Sequence, residues 1–281
     1  MPTLKRPNKP DLYYAIDDFT DPWRAAPYLI LQHGNGRTSR FWYSWVPYLS
    51  RYYRVVRPDM RGLGQSARDF DLETQMSMQD LTGDLVAIID ALGADRVHYC
   101  GESSGGIVGL ALAAAHPDRI RTLSLVSTPV FISDKMKQSY ALQHGSRADA
   151  MRAMGIRTWV DTTNRSTRFP PDTASEFFAW YAEEFAKGDI EMLLRLVRLV
   201  NEVDATAYLP KIRIPVLGLY PTAGPITDEE QERLLLANLP QIRMIHLPTH
   251  YHMIHHIAPA TCAAQVLYFL AQHDGVPCRE A

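Results

Sequence analysis

The chain has 281 residues, 46% hydrophobic and 21% charged, enough for one large globular core with a modest insertion. A formal net charge of −2 argues against nucleic acid or an anionic membrane as partner. No apolar run reaches the length of a bilayer span. Cys100, Cys262 and Cys278 are odd in number and widely spaced, so neither a disulfide framework nor a zinc module is expected. Met1 to Asp11 is polar and lacks the apolar core of a signal peptide, which makes the cytoplasm the expected compartment.

In chain order, Leu12–Ile16 reads as an edge strand. Tyr28–Gln32 is a compact apolar run stopped by His33-Gly34-Asn35-Gly36, and Arg54–Arg57 is a strand stopped by Pro58. Apolar residues at 81, 85, 88, 89 and 92 give Asp80–Leu92 a helical period. Val97–Cys100 is a strand running into Gly101, Ile107–Ala115 a buried helix, and Leu123–Val126 another buried strand. Strands alternating with helices imply a mainly parallel sheet covered on both faces. From Val130 to Ala207 strand signals give way to helical stretches rich in Met and aromatic residues. The alternation returns with Val216–Tyr220, a helix near Asp228–Asn238, a strand at Arg243–Leu247 and a helix near Pro259–His273.

Gly101-Glu102-Ser103-Ser104-Gly105 matches G-x-S-x-G between a strand and a helix. There the strand and helix approach closely, so the flanking glycines fit, and the turn lifts the Ser103 hydroxyl above the sheet. Ser104 is the rival nucleophile, but Glu102 occupies the place where it would need a small residue. The turn His33-Gly34-Asn35-Gly36 also follows a strand, at the same edge of a parallel sheet, where ligands bind. The backbone N–H groups of Asn35 and Ser104 are therefore the expected oxyanion donors.

With these motifs, Arg57-Pro58-Asp59-Met60-Arg61-Gly62-Leu63-Gly64-Gln65-Ser66 and His116-Pro117-Asp118-Arg119-Ile120, the chain resembles the α/β-hydrolase superfamily over nearly its whole length. It looks closest to small bacterial enol-lactonases, esterases and carbon–carbon hydrolases. The resemblance implies an α/β-hydrolase fold, with a mainly parallel sheet flanked by helices in residues 1–129 and 208–281 and a helical cap in residues 130–207. It assigns Asp59 and Arg61 a structural role. Ser at the nucleophile position excludes the haloalkane dehalogenases and epoxide hydrolases, which carry Asp there.

In the family the general base lies after the last strand, and the pattern falls on His252, with His250 as the alternative. His250, His252, His255 and His256 lie close together, but no nearby acid or thiol completes a metal set, so neither a metal nor a cofactor is expected. The family's two usual positions for the triad acid hold Gly224 and Ser127. Asp228 is the best single substitute, although it also suits a helix cap behind Thr227; Glu229, Asp204 and the Ser127 hydroxyl are alternatives. Glu102 is expected to face away from the histidine.

The expected function is hydrolysis of a small apolar or aromatic ester or lactone through an acyl-enzyme, with a small molecule as the partner. Carbon–carbon bond hydrolysis, cofactor-free oxygen chemistry and ligand binding with little turnover are the competing readings. Arg152, Arg157, Arg165 and Arg168 read as solvated surface, with a substrate carboxylate as the alternative.

Overall fold

The computed structural model describes residues 3–275; Cys278 lies outside them. Among these residues one sheet contains β1 (Thr3–Leu4), β2 (Leu12–Asp17), β3 (Tyr28–Gln32), β4 (Arg54–Pro58), β5 (Val97–Glu102), β6 (Ile120–Val126), β7 (Val216–Pro221) and β8 (Ile242–Leu247). Their order is β1-β2-β4-β3-β5-β6-β7-β8. β1 and β2 pair antiparallel, as do β2 and β4, and every pairing from β4 to β8 is parallel.

The chain moves outward from β3 to β4 on one side, then returns across to β5 on the other. The crevice at the carboxyl ends of β3 and β5 is thus the topological switch point, the usual ligand site of an open parallel sheet. Gln32 pairs with Gly101 there, so the two glycine turns leave the sheet side by side.

The pleat divides the apolar residues between two cores. Ile30, Val56, Tyr99, Leu123 and Leu125 pack on one face, with α2 (Met78–Ala91) and α3 (Ser104–Ala115). Leu29, Leu31, Val55, Cys100, Val126 and Leu217 pack on the other face, against Trp42, Trp45 and the long C-terminal helix. α1 (Val46–Leu49) lies between β3 and β4, and α2 begins with a reciprocal capping box between Ser77 and Asp80.

α4 (Asp134–Ala141), α5 (Arg147–Met154), α6 (Ile156–Arg168), α7 (Ser175–Ala186) and α8 (Ile190–Glu202) lie between β6 and β7. Their buried Trp159, Phe178, Tyr181 and Phe185 belong to the same core as α2 and α3. After β7 come α9 (Glu229–Asn238), α10 (Ile254–Ile257) and α11 (Pro259–Asp274). No described helix is long and apolar enough to cross a membrane.

Two expectations change. Leu12–Ile16 is not an edge strand: β2 lies between β1 and β4, and Leu12 to Ala15 are buried. The helix after Ser103 begins at Ser104 rather than Ile107, because β5 extends to Glu102 and leaves Ser103 alone at the turn.

Asp59 and Arg61 are structural. Asp59 accepts the N–H groups of Ser39 (2.6 Å) and Gln65 (2.8 Å). Arg61, 2% exposed, donates to both carboxylate oxygens of Asp84 and to the carbonyl of Gln75. Arg6 contacts the same Asp84 at 2.7 Å. Removing one partner of a buried pair is strongly destabilising. Arg61→Met should lower the unfolding free energy by about 3 kcal/mol, read as a lower denaturant midpoint at unchanged slope; a loss within experimental error would show that Arg6 suffices.

Candidate active site

Ser103 sits between the last residue of β5 and the first of α3. Its backbone has φ 53° and ψ −121°, a region that an L-residue occupies at a cost of about 1–3 kcal/mol. The surroundings enforce it. Ser103 N–H donates to the Val126 carbonyl at 2.9 Å, and Gly106 N–H donates to the Ser103 carbonyl at 2.9 Å. The helix enters so close to β3 that a Cβ on Gly105 would lie 2.6 Å from the carbonyl oxygens of Gln32 and His33. Ser103, Ser104 and Asn35 line one small cavity of about 30 Å³.

Glu102, beside Ser103, turns toward the histidine loop rather than away from it. Its Oε1 lies 3.5 Å from His252 Nε2, and both side chains are 1% exposed. Arg37 grips the carboxylate from the other side, with Nε to Oε2 at 2.9 Å and Nη2 to Oε1 at 2.7 Å. Gly34 N–H adds a bond to Oε2 at 3.0 Å, and a Cβ at Gly34 would sit 2.6 Å from that same oxygen. This position therefore accepts only glycine while the ion pair exists.

Burial would raise the Glu102 carboxyl, but the Arg37 charge and the His252 contact outweigh it and hold the group well below the usual carboxylate range. For His252, burial is the largest influence and disfavours the imidazolium. Glu102 opposes that, while Arg168 and Arg37 reinforce it, and the ring is pushed down to about 4. His252 is thus neutral at pH 7 beside an ionised carboxylate. Its loop is held by the insertion: His252 N–H donates to the Thr167 carbonyl and Met253 N–H to the Arg168 carbonyl, each at 3.2 Å.

Asp228, the expected acid, caps α9 instead, its Oδ1 accepting the Gln231 N–H at 3.0 Å. Asp204 likewise accepts the Thr206 N–H at 2.9 Å, and Glu229 and His250 are exposed. Ser127 is buried with a φ of 46°. His33 Nε2 accepts the Met60 N–H at 3.0 Å, which leaves Nδ1–H to donate to the Gly34 carbonyl at 2.8 Å. This histidine ties the two loops together. His255 packs among Trp42 and Trp45, and His256 among Phe41, Phe169 and Phe177. Among the described residues no three His, Cys, Asp or Glu side chains are placed to hold a metal.

Two arginines that the sequence did not single out, Arg37 and Arg147, enter the site together with Arg168. Arg37, Arg147 and Arg168 all line the Ser103 cavity. Arg168, expected at the surface, is only 5% exposed. Arg152 and Arg157 do lie at the surface, paired with Glu191 and Asp161. Arg165 is exposed and stacks on Phe178, its guanidinium 4.1 Å from the ring centroid.

Ser103 is a strained serine at a strand–helix turn over a parallel sheet, and the adjoining Glu102 faces the buried, neutral His252. The sequence profile of the alpha/beta hydrolase fold family matches residues 27–259, and the chain belongs to that family. It is 32% identical to a Caulobacter sp. (strain K31) protein named "Putative carbamate hydrolase RutD", over 86% of this chain and 90% of that one. It is 28% identical to 3-oxoadipate enol-lactonase 1 of Acinetobacter baylyi, over 72% and 73% of the two chains. The crystal structure of the enol-lactonase from Burkholderia xenovorans LB400 superposes with a TM-score of 0.82 at 26% identity, covering 94% of this chain and 98% of that one. With these relatives the chain is a hydrolase.

The buried histidines set an acid limit on stability. Burial is the largest cause of the shift in each: His252 falls to about 4, His256 to about 3, and His33 and His255 also lie below the ordinary 6.5. In the unfolded chain these rings take up protons near pH 6.5, so unfolding is favoured as pH falls from there toward 4. The melting temperature should drop steadily between pH 6.5 and 4, with net proton uptake on unfolding. A flat melting temperature over that range would contradict the burial of these rings.

Proposed function

We propose that the chain is a serine hydrolase of small esters or lactones, with Ser103 as nucleophile and His252 as general base. The observation that carries this reading is the strained backbone of Ser103, held against Val126 and Gly106 at the mouth of a parallel sheet. Strain of this kind persists only where surrounding structure over-determines it, and it clusters at functional sites.

Ser103 Oγ attacks the acyl carbon as its proton passes to His252. The carbonyl π electrons move onto oxygen, which the N–H groups of Asn35 and Ser104 stabilise. Collapse of the tetrahedral species expels the leaving oxygen, which takes the proton back from His252 and leaves an acyl-serine. Water repeats the sequence in reverse roles and releases the acid and free Ser103. Glu102 is a positioning residue here: its charge, 3.5 Å from Nε2, stabilises the imidazolium formed in each half-reaction. The helices α4–α8 serve as a cap that excludes water, and α6 also holds the base loop.

The carbamate and enol-lactone in the relatives' names are both carbonyl-centred groups, which fits attack by a serine. Ser103→Ala should abolish labelling by a neutral fluorophosphonate and lower ester turnover at least about a thousandfold, whereas Ser104→Ala should still be labelled. Labelling of Ser103→Ala at this loop would remove Ser103 as the nucleophile.

A further inference from the structure

We propose that the substrate is an ester or lactone whose short acyl chain ends in a carboxylate, and that Arg168 and Arg147 bind that carboxylate beside Ser103. This rests on the serine-hydrolase reading above and adds the substrate class.

The argument begins with charge. Of the three arginines lining the Ser103 cavity, Arg37 is neutralised by Glu102. Arg168 donates through Nη2 to the Tyr140 hydroxyl at 2.9 Å, a neutral partner. Its Nε and Nη1 are enclosed and make no hydrogen bond among the described residues, although the side chain is only 5% exposed. Arg147 lies over Trp159, 4.4 Å from the ring centroid, and over Tyr140 at 5.0 Å. Its Nε is likewise enclosed without a partner. No carboxylate lines the cavity, and His252 is neutral at pH 7. Two guanidinium groups, Arg168 buried and Arg147 half-buried, thus line the same cavity as Ser103 with no carboxylate among the lining residues. An enclosed unpaired cation is costly, and the cost is recovered when an anion arrives. Guanidinium N–H groups match a planar carboxylate.

The electrostatics of Arg147 agree. Burial, opposed in part by Tyr140 and helped by Arg168 and Arg37, pushes it down to about 10, as for a cation that lacks a counter-charge.

The shape places the carboxylate on the acyl side. The inner cavity, about 30 Å³, has room for a group little larger than a water molecule. A second cavity of about 350 Å³ opens toward solvent between α5 and α8, and Arg147, Val197 and Asn201 line both. The leaving group must depart while the acyl group stays on Ser103, so the leaving group uses the outer cavity. The carboxylate end of the acyl group therefore sits in the inner cavity, which Arg168 lines alone and Arg147 shares with the outer one. The outer cavity adds Arg152, Arg195 and Arg198 along the approach. Arg152 and Arg198 are paired with Glu191 and Glu73, so they contribute little net charge.

The test compares monomethyl succinate with neutral methyl pentanoate, following acid release. The wild-type kcat/KM ratio should favour the anionic ester at least about tenfold, and Arg168→Met and Arg147→Met should each lower that ratio about ten- to a hundredfold. Arg168→Lys should restore part of it. A second readout needs no turnover: succinate should raise the melting temperature of Ser103→Ala more than butane-1,4-diol or inorganic phosphate does. Equal turnover of both esters, or no succinate-specific stabilisation of Ser103→Ala, would overturn the carboxylate site. If a neutral fluorophosphonate still labelled Ser103 in that case, the serine-hydrolase reading would stand alone. Absence of labelling with intact succinate stabilisation would overturn that reading instead and leave an anion-binding pocket. Phosphate matching succinate would make the site a general anion site and refute the substrate class.

Discussion

Glu102 and Arg37 form an ion pair at 2.6 Å in which both side chains are 1% exposed, and the active-site region is arranged around it. Two charges this deep are tolerable only when each satisfies the other, and breaking such a pair costs about 3–5 kcal/mol. The pair joins the end of β5 to the loop after β3, beside the sheet hydrogen bonds and the Gly34 N–H bond to Glu102. It forces glycine at position 34 by filling the space of a side chain there. It also leaves Glu102 Oε1 facing His252, so a structural pair supplies the charge that the proposed base needs. Gly224 and Ser127 hold the two usual places for an acid, and the buried carboxylate that faces His252 is that of Glu102.

A single helix of the insertion, α6, links this pair to the rest of the site. Its last turn accepts the N–H groups of His252 and Met253, and its terminal residue Arg168 enters the cavity. Arg168 also disfavours the charged form of His252. A ligand that neutralised Arg168 would relieve that influence and raise the basicity of the ring.

Much of the fold was legible because strand and helix periods are local. The alternation of Leu29, Ile30 and Leu31 between two cores, the apolar stripe of α2 and the glycine turns all follow from a few neighbouring residues. β2 was misread as an edge because its outer neighbour, Thr3–Leu4, is too short to carry any period. Ser103 stood out because strand, turn and helix meet at one motif. Glu102 did not, since its direction depends on where β5 ends and on Arg37, which lies 65 residues away in sequence. Asp228 was the best single candidate for the acid but also suited a helix cap, and the structure shows it in the cap, bonded to the Gln231 N–H. Arg147 carried no signal of its own in the sequence, and Arg168 read as solvated surface with a substrate carboxylate as the alternative. Their enclosure follows from how α4, α5 and α6 fold over the sheet, through Tyr140 and Trp159.

The central claim is that Glu102 is the carboxylate that serves His252. It is tested most directly by comparing single-turnover acylation of Glu102→Gln and Asp228→Asn with an activated neutral ester. Gln keeps a hydrogen-bonding side chain toward Arg37 and Gly34 while removing the charge, and Asn retains the helix cap. Acylation in Glu102→Gln should slow by about two to four orders of magnitude with the circular dichroism unchanged, while Asp228→Asn stays within about threefold of the parent. Near-parental acylation in folded Glu102→Gln, together with a large loss in Asp228→Asn, would contradict the account.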